Sequence, residues 1–260
     1  MRPSKWLLIA AGVIFLVSHA YASNVPLDDP GYDVLRRLEA EGIVESSILT
    51  TLPLSRQEIV RLIREAEKNA GSESGFIQQQ IEFLKARFRD DIEAKKYIKP
   101  LGALSGKYIY SDQDDPAIVY NNDGDIYAKG SNIRAGLSSW AEFGWFSYFI
   151  NPELRYDEGD TDLILKNGYG VIHVLGLDLE AGKESQWWGP GYHGSLLLSN
   201  NAEPFTLVRL SNTNPVLLPW IFKYLGPLRF TAFATMLEED RDFSHPYLWG
   251  MKINFKPLPY

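Results

Sequence analysis

Apolar residues recur along this chain with two different periods, and the change falls near residue 100. Between Pro26 and Lys99 the spacing is three and four residues, the period of an α-helix with one buried face. Tyr32, Val34, Leu35 and Leu38 form the first such set, after Pro30, and Gly42 stands where a helix ends in a left-handed residue. Ser55 with Glu58 reads as a capping box opening a second helix that carries Ile59, Leu62 and Ile63. Phe76, Ile77, Ile81, Leu84, Phe88 and Ile92 predict one longer helix, whose other faces hold Glu82, Lys85, Arg87, Arg89 and Asp90. Each helix is apolar on one side only, so together they need a common core.

From Leu101 onward the period is two, that of a β-strand whose successive side chains face opposite ways. Trp249, Met251, Ile253 and Phe255 alternate with Gly250, Lys252, Asn254 and Lys256. Leu228, Phe230, Ala232, Ala234 and Met236 form a second row, and Ile133, Ala135 and Leu137 a third between Asn132, Arg134, Gly136 and Ser138. Strands are expected near 102–111, 126–138, 142–156, 163–173, 177–184, 204–211, 226–238 and 247–256. Several reach ten residues, long for a soluble sandwich and suited to crossing a bilayer. Ser139-Trp140-Ala141 and the link after His173 read as short turns. Asp112–Asp125, Asp157–Asp162, Ser185–Glu203 and Glu238–Pro246 read as long polar loops at the opposite end. Short turns at one end and long loops at the other are the pattern of an outer-membrane barrel. The Pro-rich Asn212–Tyr224 segment breaks it. A water-soluble antiparallel sandwich also alternates and is the competing reading.

The first 22 residues set the compartment. Arg2 and Lys5, the apolar run Trp6–Val17, and Ala20-Tyr21-Ala22 before Ser23 are the three parts of a cleaved secretory signal. The apolar run is too short to span a membrane. Without Arg2 and Lys5, 24 basic residues face 33 acidic ones, a net charge of −9 that disfavours nucleic acid as a partner. The chain has no Cys, so disulfides and thiolate metal sites are excluded. Aromatic residues make up 13% of the sequence, fitting a sugar-binding surface, a β-rich core or the girdles of a membrane barrel.

No catalytic set emerges. His173, His193 and His245 are far apart in sequence, Gly194-Ser195-Leu196 is not a nucleophile elbow, and no spacing marks a carboxylate pair. Asn121-Asn122-Asp123-Gly124-Asp125 slightly resembles a calcium loop but lacks the closing Glu; a plain turn is the simpler reading. Glu238-Glu239-Asp240-Arg241-Asp242 reads as a solvated loop. No metal or other cofactor is expected. The segment richest in candidate chemistry is Gln186 to Gly194, followed by Ser199-Asn200-Asn201-Ala202-Glu203-Pro204. Trp187 and Trp188 precede Gly189, Pro190 and Gly191, which fix an irregular backbone, and then Tyr192 and His193. Such a loop either stacks on sugar rings or packs as a structural wedge.

The Trp187-Trp188-Gly189-Pro190-Gly191 block, with Gly194-Ser195-Leu196 and Ser199-Asn200-Asn201-Ala202, resembles the capsule assembly protein Wzi family. So do Val25-Pro26-Leu27-Asp28-Asp29, Leu38-Glu39-Ala40-Glu41-Gly42 and Arg229–Glu238. The resemblance implies an outer-membrane β-barrel with an N-terminal helical bundle on its periplasmic side, holding capsular or exopolysaccharide at the cell surface without catalysis. Members are longer, and Pro257 and Pro259 cannot sit in a closing ladder strand. The expectation is therefore a partial barrel of about eight strands, the N-terminal half of the family fold, with the second half a possible partner. A looser resemblance, through Arg56-x-Glu58 and its apolar followers, is to surface-layer homology modules. It implies a peptidoglycan-anchored porin for small solutes, the alternative function; an outer-membrane hydrolase ranks below both.

The resulting expectation is a mainly β chain in three parts: 1–22 a signal with cleavage at Ala20, Ala22 and Ser23, 23–100 helical, and 101–260 antiparallel transmembrane strands. Its partners would be polysaccharide and outer-membrane lipid. Candidate polysaccharide-binding residues are Trp187, Trp188, Tyr192, His193, Asn200 and Asn201, with Gly189, Pro190 and Gly191 shaping the loop.

Overall fold

The structure is a computed structural model and describes residues 23–71, 74–93, 96–237 and 244–257. Residues 1–22, expected as a secretory signal, and the acidic run 238–242 lie outside the described residues. Among the described residues four helices come first: α1 (Gly31–Ala40), α2 (Arg56–Ala70), α3 (Gly75–Arg87) and the short α4 (Arg89–Ile92). Ser55 caps α2 by accepting from the Glu58 amide at 3.1 Å, a bond worth about 1 kcal/mol. Gly42 follows α1 with φ +72°, as its position predicts. The expected long helix to Ile92 is instead broken at Phe88, whose φ of −106° leaves the helical region. That ring is buried beside Leu84 and Ile81 in the common core, so packing overrides the helical period.

The core is mostly helical: Tyr32, Leu35, Leu38, Leu54, Ile59, Leu62, Ile63, Leu84 and Phe88 are among its fully buried members. One residue enters it from far along the chain, Trp187. The route is a two-stranded ladder in which β1 (Thr51–Leu52) pairs antiparallel with β9 (Trp187–Trp188).

The rest is one nine-stranded antiparallel sheet. Its successive neighbours are β2 (Tyr97–Ser111), β5 (Gly130–Glu142), β6 (Phe146–Asp157), β7 (Asp160–Val174), β8 (Leu177–Lys183), β10 (Thr206–Asn212), β12 (Pro227–Met236) and β13 (Tyr247–Phe255). The two-residue β11 (Val216–Leu217) extends the β12 edge beside β10. A separate small hairpin joins β3 (Ala117–Ile118) and β4 (Ile126–Tyr127). No ladder joins β2 to β13 among the described residues, so the sheet is open rather than a closed barrel.

Strand identities follow the sequence period, but some ends do not. The first strand starts at Tyr97, ahead of the expected boundary at 101. The expected turn at Ser139-Trp140-Ala141 lies inside β5; the chain reverses at Phe143-Gly144-Trp145, where Gly144 has φ +90°. The expected long loop Asp157–Asp162 is a tight hairpin, with Asp157 paired to Asp160 across Glu158-Gly159. The loops 112–125 and 185–203 lie at this same end. The 212–226 connection lies at the opposite end and holds an exposed 3-10 turn, Trp220–Leu225.

The sheet's faces are inverted relative to a soluble sandwich. On the outside, Leu104, Ile133, Leu154, Leu163, Leu179, Val208 and Ile253 are exposed. On the inside, Arg134, Glu142, Glu180, Arg209, Arg229 and Thr231 are buried. The helices lie against this polar concave face. Asn24 Nδ2 donates to Glu180 and Glu184 at 2.7 and 2.9 Å, the Ser23 hydroxyl donates to Glu142, and Ser55 Oγ donates to the Thr213 carbonyl at 2.9 Å.

Candidate functional site: a polar cleft on the inner wall

The residues that close the space between helices and sheet are not those the sequence singles out. Strand register places Trp140 opposite Phe149 and Phe149 opposite Tyr169 on the inner face of β5, β6 and β7. Their rings stack in series, 6.3 Å apart at 25° and 5.6 Å apart at 19°. Glycine makes room for the band's first ring: a Cβ on Gly102 of β2 would lie 1.8 Å from the Trp140 ring. The Arg56 guanidinium sits 5.0 Å from the centre of that ring and Lys99 Nζ 5.5 Å, within cation–π range. Arg56 is fixed by Asp91 at 3.1 Å, and Asp91 also accepts from the Tyr97 hydroxyl at 2.6 Å.

Above this band lies a cleft of about 770 Å³. The helical side contributes Pro26–Asp29, Pro53, Arg56, Arg87 and Phe88, and the wall contributes Lys107, Asn151, Glu153, Lys166 and Asn167. Asn121, Asn122, Asp123 and Asn200 form part of its rim. Most charges there are paired: Lys166 with Asp123 at 3.2 Å, Arg87 with Asp29 at 2.7 Å, and Arg134 with Asp125 at 3.0 Å. What remains is hydrogen-bonding capacity. Asn121 Oδ1, Asn122 Oδ1 and Trp140 Nε1 are buried and have no protein partner. A cleft with an aromatic floor, an amide rim and unspent donors and acceptors is chemically suited to a polyhydroxylated ligand.

The candidate loop is placed mainly as structure. Trp187 and Trp188 are 5% and 4% exposed. Trp187 lies in the helical core and its Nε1 donates to the Gly189 carbonyl at 3.2 Å. Trp188 packs edge-on against Phe233 at 5.2 Å, and its amide donates to the Leu198 carbonyl at 2.8 Å. Gly189 donates to the Thr50 carbonyl at 3.0 Å, and a Cβ there would meet Ser195 Oγ at 2.5 Å. Pro190 and Gly191 carry the chain on to Tyr192 and His193, whose rings meet edge-on at 4.7 Å. The Tyr192 hydroxyl donates to Asp33 on α1 at 3.1 Å, and that carboxylate raises the phenol pKa. Neither Tyr192 nor His193 lines the cleft.

Asn200 does line it, donating to the Asn121 carbonyl at 3.1 Å, while Asn201 Oδ1 accepts from the Asn121 amide at 2.7 Å. The two asparagines therefore brace the turn that resembled a calcium loop. No group of three or more potential metal ligands occurs among the described residues. His173, Asp178 and Thr213 form a buried triangle at 2.7–2.8 Å, away from the cleft. Sequence reasoning missed Trp140, Phe149, Tyr169 and Lys166, because they become neighbours only through strand register. The available signal was Trp140 at an inward position of a strand whose outward positions are apolar.

An antiparallel sheet with apolar residues outside, polar residues inside and a glycan-compatible cleft defines a class, and comparison with known proteins narrows it. A model of the family "Capsule assembly protein Wzi" matches residues 111–260. The chain belongs to this family. An uncharacterized 55.8 kDa protein in the cps region of Klebsiella pneumoniae is 26% identical over 94% of this chain and 46% of its own length. The solved structure of Wzi, described as an outer membrane protein involved in group 1 capsule assembly in Escherichia coli and a carbohydrate binding β-barrel, matches with a TM-score of 0.70. Identity is 19%, over 91% of this chain and 51% of that one. The chain thus spans about half the length of the relatives it matches.

Proposed function

We propose that this chain is a non-enzymatic, lectin-like component of outer-membrane capsule assembly that binds capsular or exopolysaccharide in the cleft above Trp140. The single observation carrying this reading is the cleft's lining of amide side chains beside the Trp140–Phe149–Tyr169 rings, in which Asn121, Asn122 and Trp140 each hold a polar atom with no protein partner. Each unmatched group costs about 1–3 kcal/mol when buried, and sugar hydroxyls both donate and accept. Family membership agrees with it. The exposed apolar outer face fits lipid contact by strands of a partial barrel. Residues 1–22 would be removed on export, and the helices from 31 to 92 would form the non-lipid part.

Binding of purified capsular polysaccharide to the protein in detergent tests this. Trp140→Phe keeps a ring but removes the unpartnered donor. It should weaken binding several-fold with heat-modifiable gel mobility intact. Undiminished binding by Trp140→Phe and by Asn122→Ala would sink the cleft as the site. Absence of binding by the unmodified chain would sink the function.

A further inference from the structure

A second set of buried polar groups lies elsewhere on the inner wall. Arg229 and Thr231 stand two residues apart on the inner face of β12, opposite Asn254 and Lys252 of β13 in the ladder. Directly opposed residues have their Cβ atoms about 5 Å apart, so these four side chains form one patch. The Thr50–Pro53 segment covers it. Lys252 Nζ donates to the Thr50 carbonyl at 2.6 Å, Asn254 Nδ2 to Thr50 Oγ1 at 3.1 Å, and Arg229 Nη2 to the Pro53 carbonyl at 3.0 Å.

Arg229 is 4% exposed, yet its Nε and Nη1 reach no protein acceptor, and neither does Thr231 Oγ1. A buried guanidinium is normally paired, because desolvating an unmatched charge is costly. The nearby carboxylates are engaged by other groups: Glu180 and Glu184 by Arg209 at 2.5 and 3.1 Å, Glu58 by Arg61 at 2.7 Å, and Asp178 by His173 and the Thr213 hydroxyl at 2.7 Å each. That leaves the Arg229 Nε and Nη1 donors unmatched beside an unmatched hydroxyl, with the Lys252 ammonium on the facing strand. We propose that Arg229, Thr231 and Lys252 form a buried binding site for a small inorganic anion of chloride size, under the Thr50–Pro53 segment. None of the three lines the cleft, so the site is independent of glycan binding. Its bound anion would tie the helical segment to the end of the sheet.

The test uses the full chain in detergent, with chloride exchanged for gluconate at constant ionic strength. Chloride should raise the Tm by several degrees in a saturable way, as a ligand of the folded state does. Thr231→Val, which keeps every charge, should weaken the dependence, and Arg229→Met should abolish it. Crystals soaked in bromide should show an anomalous peak beside Arg229. An unchanged Tm on exchange, a dependence retained in Arg229→Met, or water alone beside Arg229 in bromide-soaked crystals would overturn the proposal. If Arg229→Met fails to fold, Thr231→Val and the bromide experiment decide.

Discussion

The helical unit and the inner wall use opposite means to stay together. The helices share an apolar core in which Leu35, Leu62, Ile63 and Leu84 are fully buried, completed by the Trp187 ring. The wall has almost no apolar core of its own beyond Phe149, Tyr169 and Val171. Its interior is a lattice of charged and amide groups, several of them unpartnered. Apolar packing is non-directional and tolerates no inserted polar ligand, whereas a polar lattice offers donors and acceptors in fixed places. The two aromatic sets therefore differ in place: the Trp187–Trp188 pair fastens a loop to the helical core, and the band buries Phe149 and Tyr169 in the wall while its half-buried end, Trp140, borders the cleft.

The strongest challenge to this contrast is Trp187→Ala. It removes a ring from the helical core and should cost about 3–5 kcal/mol, read by denaturant unfolding and by loss of heat-modifiable mobility. A folded, equally stable variant that has lost glycan binding would reverse the two roles. Next in size is Gly102→Ala, which drives a methyl group into the Trp140 ring. Overpacking of this kind costs about 1–3 kcal/mol, and glycan affinity should fall with it because the floor of the cleft shifts.

A smaller effect sharpens the helical side. Glu65 accepts from the Ser46 hydroxyl and from the amides of Glu45 and Ser46, and pairs with Arg61 at 3.2 Å. Burial pushes its pKa up, but these bonds outweigh burial and leave it below the usual glutamate value. Glu65 should therefore stabilise the fold above the ordinary glutamate range, with the contribution lost as pH falls through its lowered pKa. The Tm gap between the native chain and Glu65→Gln should be widest near neutrality and close in acid. Glu58, on the same arginine, is raised by burial and acts in the opposite sense, being more favourable protonated. A Tm gap that widens in acid would refute the assignment. The smallest change is Tyr192→Phe, which deletes an exposed bond to Asp33 and should cost under about 0.5 kcal/mol.

The eight long strands and their alternation were legible in the sequence, because a period of two is the same whether the apolar face points in or out; the two-residue strands β1, β3, β4, β9 and β11 were not, being too short to show a period. The ends were less so. Ser139-Trp140-Ala141 read as a turn because polar and bulky residues interrupt the apolar row, yet inward positions of this sheet are meant to be polar. The acidic run Asp157–Asp162 read as a loop for the same reason, although Glu158-Gly159 alone makes the reversal. The helical caps were readable since they are local. The cleft was not, because its residues come from separate segments and meet only through register. Of the six candidate residues, Asn200 alone lines it; Trp187 and Trp188 drew notice by adjacency, a covalent accident that says nothing of exposure.

The ladder between Thr51 and Trp188 sets an order of events. Residues 23–55 leave the ribosome before any of the sheet, yet their contacts are with Glu142, Tyr169, Glu180, Glu184, Trp188 and Thr213. Closing loops of well over a hundred residues is slow compared with zipping adjacent hairpins. The strands from β5 to β10 form by neighbour-to-neighbour pairing and need no help from the N-terminus. The earliest-made segment should thus be the last to find its place, leaving the charged interior of the wall open to water until it does.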